Sequence, residues 1–285
     1  MIIKIIKVFF SIVLFLVVTG GAIVGYVYLE NKSVAISEYS VYSEKLPIAF
    51  DGYKILMLAD FHDSDNYEKI TQRISKLKPN IIVLVGDMIN STDTSFENFE
   101  ALADKNINVA PIYFVSGNHE KWSEHEKEFM DVVKKHGIIN LNNKSTKITY
   151  QNSSIALTGF EDVVYADAEM RIGVVENKLK ELSNIKENQG LFNILLFHRA
   201  NLFDTVCKYP FDLTLAGHLH GGQIGVPFVR DYLLSQRSKS DRYIKGYYRN
   251  GNSQLVVSAG LSEDMKNPRV LDPPELVMVT LKAIK

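Results

Sequence analysis

The chain is nearly without cysteine. Cys207 is the only one in 285 residues, so no internal disulfide can form and a cysteine-rich zinc site is excluded. Any bound metal must be held by His, Asp, Glu or Asn. An excess of charge of either sign is also missing. Lys and Arg number 32 against 33 Asp and Glu, a net charge of -1, which removes the electrostatic case for nucleic acid as the main partner. There is no G-x-x-x-x-G-K-[ST] loop to cradle a nucleotide phosphate. There is no internal repeat and no low-complexity segment. What remains is 46% hydrophobic and 23% charged, enough apolar material for one large or two small globular domains.

The first thirty residues differ from the rest. VFFSIVLFLVVTGGAIVGYVYL, Val8 to Leu29, runs for 22 residues without a charge. At about 1.5 Å per residue that is the length needed to cross a hydrocarbon core of about 30 Å. Lys4 and Lys7 precede it, so the positive-inside rule predicts a cytoplasmic N-terminus and an extracytoplasmic body after Glu30. A cleaved signal peptide is the rival, with Thr19-Gly20-Gly21-Ala22 as its cleavage cluster; its apolar region is usually shorter than this one. There is no twin arginine before the run and no cysteine at its end to carry a lipid. The spacing predicts an uncleaved anchor over residues 1–30, a linker with one edge strand over 31–52, and the main folded domain over 53–285.

Within the body, strand and helix patterns alternate. ILMLA, IIVLV and IYFV are short buried runs of strand length. Glu68 to Leu77, with Ile70, Ile74 and Leu77 on one face, and the stretch from His125 to Gly137 have helical periodicity between them. SIALTGF, FNILLF, LTLAG, QLVVS and PPELVMVTL come later as strands, with MRIGVVENKLKEL as a helix. This is the pattern of βαβ units with ligands at strand carboxyl ends. The strand-rich second half predicts a mixed sheet or a two-sheet sandwich with helices outside.

Polar residues collect where these strands end. Asp60-Phe61-His62 closes the first, Gly86-Asp87-Met88-Ile89-Asn90 the second and Gly117-Asn118-His119-Glu120 the third. His198-Arg199 and Gly217-His218-Leu219-His220-Gly221-Gly222 close two more. Five of the seven histidines lie in these places. Each motif alone is weak, since a lone His is more often a hydrogen-bonded structural residue than a ligand; five at five strand ends form one signal. Carboxylate, imidazole and amide oxygen together suit Mn, Fe, Zn or similar divalent ions better than calcium. An Asp can bridge two ions, and two ions can clamp a phosphoryl group and generate a hydroxide for in-line attack.

The ordered set D-x-H, G-D, G-N-H-E, H and G-H-x-H resembles the calcineurin-like metallophosphoesterase superfamily, from about Lys54 to Leu281. GHLHGGQ and Asp272-Pro273-Pro274-Glu275 are similar to its bacterial membrane-associated branch. The resemblance implies a four-layer αββα sandwich, two divalent metal ions and phosphoester hydrolysis. It implies that Asp60, His62 and His220 bind the first ion, that Asn118, His198 and His218 bind the second, and that Asp87 bridges them. His119 would face the phosphate without binding metal and protonate the leaving oxygen or stabilise the transition state. Phe61 stands where Leu is common, and Asn90 where Asp is often found; neither removes a ligand.

Around the motifs, Arg199 is either a phosphate contact or half of a structural ion pair. Gly221 and Gly222 are expected to hold the backbone low beside a phosphate. The charge-rich segment 161–190 is expected near the mouth of the site, as is the polar loop from Glu263 to Arg269. VPFVRDYLLSQRS, with Arg230, Arg237 and the later Tyr243, Tyr247 and Tyr248, reads as a hairpin packing aromatics on the core, or else as a contact with substrate or membrane. The expected partners are a phosphate-ester substrate, cell-envelope or lipid-linked, and the bilayer through the N-terminal helix. Two other functions compete: a membrane-tethered binding protein without turnover, and a pyrophosphatase of nucleotide-linked lipid precursors on the cytoplasmic side.

Overall fold

The computed structural model describes residues 2–163, 168–236, 239–263 and 268–284. Its first element is helix α1, Ile2–Asn31. An apolar run with no polar face has nothing to present to water, and the most apolar window of α1 is wholly exposed; only its last turn, at Glu30 and Asn31, bonds to the rest of the chain.

Twelve strands come after it in two six-stranded sheets. In chain order they are β1 (Ala35–Ser43), β2 (Lys54–Leu58), β3 (Ile81–Val85), β4 (Ile112–Val115), β5 (Ile139–Asn140), β6 (Ser145–Tyr150), β7 (Ser153–Phe160), β8 (Asn193–Arg199), β9 (Leu213–Gly217), β10 (Gly246–Asn250), β11 (Ser253–Val257) and β12 (Glu275–Ala283). The first sheet runs β1-β12-β2-β3-β4-β5 and the second β10-β11-β9-β8-β7-β6. Both are mixed: β12 is antiparallel to β2, β6 to β7 and β10 to β11, while β2, β3 and β4 are parallel neighbours, as are β7, β8 and β9.

The period-two geometry of a strand sorts its apolar residues between two cores. Ile55 and Met57 of β2 point between the sheets, where they meet Leu157, Leu196 and Leu215 from the other sheet. Leu56 and Leu58 point outward and are covered by Ile70 and Ile74 of α2 (Tyr67–Leu77), Phe99 and Leu102 of α3 (Glu97–Asn106), and Phe129 beyond the one-turn helix α4 (Asn118–Trp122), on α5 (Glu126–Lys135). On the second sheet, Leu195 and Phe197 of β8 face Val175 and Leu179 of α6 (Ala168–Ser183) and Phe203 of α7 (Phe203–Val206). The result is helix, sheet, sheet, helix, the four layers expected.

Two expectations change. The segment from Val226 is not a hairpin: Val229–Ser235 forms helix α8, none of whose residues is buried. Of the aromatics beyond it, Tyr243 is buried, and Tyr247 and Tyr248 lie on β10 of the β10–β11 hairpin. Arg237 lies outside the described residues. Among its described residues, the segment 161–190 adds none to the wall of the cavity lined by His62, His119 and His220: α6 packs on the outer face of the second sheet, while Asp162 pairs with Arg199 beside His218; residues 164–167 lie outside the described residues.

Candidate metal centre

Strands β2, β3 and β4 all run parallel, as do β8 and β9, and the residues just past β2, β3, β4 and β9, together with the end of β8, converge on one edge of the sandwich. Three overlapping groups of side chains come within 4.8 Å of one another there: Asp60, His62 and His220; His62, Asp87 and His119; and Asp87, His198 and His218. Every residue the resemblance assigns to a metal falls in the first or third group except Asn118, and Asp87 links the second and third.

The backbone is bent to make this possible. Asp60, His62, Asp87, His218 and His220 all have positive φ, between 48° and 82°. Such residues are uncommon outside glycine and cost on the order of 1–3 kcal/mol each, so a cluster of five at strand ends points to a functional constraint. Close approach also explains one glycine: a Cβ on Gly117 would lie 2.3 Å from Asp87 Oδ1.

Hydrogen bonds fix which nitrogen each ring offers. The carbonyl of Val85 can only accept, so His198 donates to it from Nδ1 at 2.8 Å. Asn90 donates its amide hydrogens to His62 O and the Asp93 carboxylate, which turns its Oδ1 to accept from His62 Nδ1 at 3.0 Å. His62 Nε2 is then a lone pair, buried with no hydrogen-bond partner, and Asn118 Oδ1 is in the same state. His198 Nε2 has Asp87 Oδ2 beside it, at 3.0 Å. An orphaned buried polar atom is costly unless something binds it. Two such atoms beside a pair of carboxylates fit divalent cations, with the outer hydrogen bonds that usually orient metal-bound imidazoles.

Charge repeats the pattern. Burial alone would lower His198, but Asp87, whose Oδ2 is 3.0 Å from its Nε2, outweighs burial and lifts it to about 10. Burial likewise opposes ionisation of Asp87, yet the His198 cation holds that carboxyl well below the usual range. Burial pushes Asp60 up to about 7 and His62 down to about 4, and holds His218 and His220 well below the ordinary imidazole value. A proton held between His198 and Asp87 occupies the place that a cation competes for.

His119 sits differently. Its Nδ1 accepts the Ser91 N–H at 3.2 Å, its ring stands edge-on to His62 at 4.5 Å, and it lines an open cavity of about 500 Å³ with His62, Asn90 and His220. Burial lowers its pKa, so the ring is neutral with its hydrogen on Nε2.

Several residues gain a role that the sequence left unassigned, although Glu120 lies in its third motif and Glu263 and Arg269 bound the polar loop expected near the mouth of the site. The buried Glu120 carboxylate accepts the N–H groups of Asp87, Met88, Ile89 and Gly117, at 2.5–3.2 Å. Ser262 Oγ bonds His220 Nδ1 at 2.9 Å. Arg269 is almost wholly buried and donates to the carbonyls of Ala259, Ser262 and His220. Lys32 and Glu263, paired at 2.8 Å, stand in the wall of the cavity. Of the loop from Glu263 to Arg269, residues 264–267 lie outside the described residues.

Three expected substrate contacts stand apart from the cavity wall. Arg199 is buried, with Nε 2.9 Å from Asp162 Oδ2 and Nη1 3.2 Å from His218 Nε2, so the ion pair accounts for it. Gly221 is also buried, and a Cβ there would lie 2.1 Å from Asp272 Oδ2, so its bareness makes room for that carboxylate. The nearest atom to a Cβ on Gly222 would belong to Ile244, at 3.5 Å. Glu275 of the Pro-Pro-Glu sequence accepts the Ala259 N–H at 2.8 Å and pairs with Lys245 at 3.0 Å.

The chain is similar in sequence to known proteins. The family model described as calcineurin-like phosphoesterase matches residues 53–222. The chain is 29% identical over 276 residues to the uncharacterized metallophosphoesterase YkuE of Bacillus subtilis, covering 93% of this chain and 92% of that protein. It is 27% identical over 237 residues to the phosphodiesterase YaeI of Escherichia coli, covering 80% and 82%. The crystal structure of TT1561 of Thermus thermophilus is similar at a TM-score of 0.49 and 18% identity, over 73% of this chain and 90% of that one.

Proposed function

The chain belongs to the calcineurin-like phosphoesterase family, and from that premise we propose that it hydrolyses phosphomonoester, phosphodiester or pyrophosphate bonds of a cell-envelope or lipid-linked substrate, outside the cytoplasmic membrane, with two divalent ions. Residues 1–30 are the membrane anchor, 31–52 the linker with its edge strand and 53–285 the catalytic domain. The observation that carries the reading is the run of donor groups in which Asp60, His62 and His220 are joined to Asp87, His198 and His218 through the closeness of His62 to Asp87, with the buried, unpartnered His62 Nε2 and Asn118 Oδ1 at the same strand ends.

Asp60, His62 and His220 would hold one ion, Asn118, His198 and His218 the other, and Asp87 both. When bound, the ions supply positive charge against the phosphoryl oxygens and an activated water. The chain's own groups do the rest. Asn90 and Val85 hold the tautomers of His62 and His198. His119 presents an N–H to the cavity and stabilises charge developing on the phosphate or the leaving oxygen. The half-enclosed cavity, walled by His62, Asn90, His119 and His220, orients the ester toward Asp87.

The test is metal content and turnover of the purified chain with p-nitrophenyl phosphate and its bis-ester in Mn²⁺. The native chain is expected to carry transition metal and hydrolyse at least one ester, and Asp87→Ala to lose both. Equal turnover by Asp87→Ala overturns the assignment. A metal-free chain that stays inactive in Mn²⁺ favours a tethered binding protein. A reporter enzyme fused after Lys285 reads topology, and activity only in the cytoplasm contradicts the orientation.

A further inference from the structure

A second concave surface lies at the foot of α1, a groove of about 530 Å³ walled by the helix end at Leu29 and by the outer face of α2. α2 is amphipathic. Ile70 and Ile74 are buried, while Lys69, Arg73 and Lys76, spaced four and three apart, form one stripe on the opposite side. All three line the groove, with Lys32. Lys69 Nζ donates to the Lys32 carbonyl at 2.7 Å, fastening the stripe to the foot of the helix. Among the described residues, Lys69, Arg73 and Lys76 make no ion pair, although α2 carries Glu68, which turns away to Lys105. Three cations, and Lys32 with its Glu263 partner at 2.8 Å, are thus gathered where an apolar helix of membrane length ends.

The position selects the occupant. A helix whose side chains from Ile3 to Leu29 are open to the surroundings lies in hydrocarbon once anchored, and the residues just past its end stand at headgroup depth. Each Lys or Arg held near an anionic lipid surface adds to the attraction. The helix is not loosely joined to the groove. Asn31 is buried and exchanges two hydrogen bonds of 2.8 Å with the backbone of Arg269, and the Glu30 carboxylate accepts the Leu271 N–H at 2.7 Å. Lys32 belongs to the groove and to the metal cavity at once.

We propose that Lys32, Lys69, Arg73 and Lys76 form a seat for anionic phospholipid headgroups, which holds the mouth of the metal cavity against the bilayer surface. The seat rests on the anchor reading of α1 but not on hydrolysis. The substrate phosphate and a lipid phosphate would then lie on opposite sides of Lys32.

The full chain can be reconstituted in bilayers of phosphatidylcholine alone, or with about a third phosphatidylglycerol, and its lysines acetylated and counted by mass spectrometry. Lys69 and Lys76 are expected to react at least about threefold more slowly in the anionic bilayer, and about 0.5 M salt to erase the difference. Lys134 and Lys135 of α5 serve as internal references and are expected to react equally in both. Arg73→Gln is expected to halve the protection of its two neighbours or better. Equal labelling of Lys69 and Lys76 in both bilayers overturns the proposal, as does protection by millimolar glycerol phosphate without any by anionic bilayers. Turnover of bis-p-nitrophenyl phosphate in the same samples separates the readings: turnover without protection sinks the seat alone, and protection without turnover sinks the hydrolase alone.

Discussion

Asn90 Oδ1 accepts a hydrogen bond from His62 Nδ1 at 3.0 Å, and so a residue outside both ligand groups decides which nitrogen of His62 faces inward. Asn90 is a positioning residue. Removing such a partner typically weakens metal affinity or activity about 10–100-fold. Asn90→Leu is expected to lose metal affinity in that range, by chelator competition, with an unchanged circular dichroism spectrum. Asn90→Asp keeps an acceptor and is expected to restore most of the affinity. Native affinity in Asn90→Leu would show that the ring is held by packing.

Glu120 joins the turns after β3 and β4 by accepting four backbone N–H groups. Glu120→Gln keeps the volume but points amide hydrogens at donors. A buried unsatisfied donor costs about 1–3 kcal/mol, and in a domain of this size 1 kcal/mol moves Tm by about 2–4 °C. A fall of several degrees in thermal unfolding is expected, together with weaker metal binding because Asp87 is displaced. An unchanged Tm would mean that the four bonds are made equally well by an amide.

His119 is read as a hydrogen-bond donor that touches substrate and no metal. His119→Ala is then expected to lower kcat about 10²–10³-fold with metal content unchanged. The loss should be greater for an alkyl phosphate than for p-nitrophenyl phosphate, whose leaving oxygen needs less help. Loss of metal in His119→Ala would instead make His119 a ligand.

Burial raises the thiol of Cys207 above its ordinary value. Since the thiolate is the reactive form, less of it is present at a given pH than in a free cysteine. Alkylation by iodoacetamide at pH 8 is expected to be slower than for glutathione, with a rate still climbing above pH 9. A rate equal to glutathione's would place the thiol at the surface.

Asp60, His62, Asp87, Asn118, His198, His218 and His220 are legible in the sequence because each lies at the end of a run of apolar residues, and parallel strands deliver their carboxyl ends to a common edge. The groups that orient them are not. His62 and Asn90 are 28 residues apart and Asn31 and Arg269 238, and nothing local marks such pairings. Strands β6 and β10 escape a reading of the sequence because their side chains are mostly exposed, which leaves no period-two signal. α8 buries no residue, so its sequence never had to advertise a face, and its aromatics suggest a core they do not join.

Asn31 bonds both the N–H and the carbonyl of Arg269, and Arg269 in turn grips the carbonyl of His220. An enzyme on a slack tether samples every heading above its membrane. Here two successive clasps run from the last turn of the helix to a candidate ligand, leaving no swivel between them. Under the proposed membrane anchor, the tilt of the helix would become the tilt of the cavity, and bilayer thickness, which sets how far such a helix leans, would become a variable that aims the site.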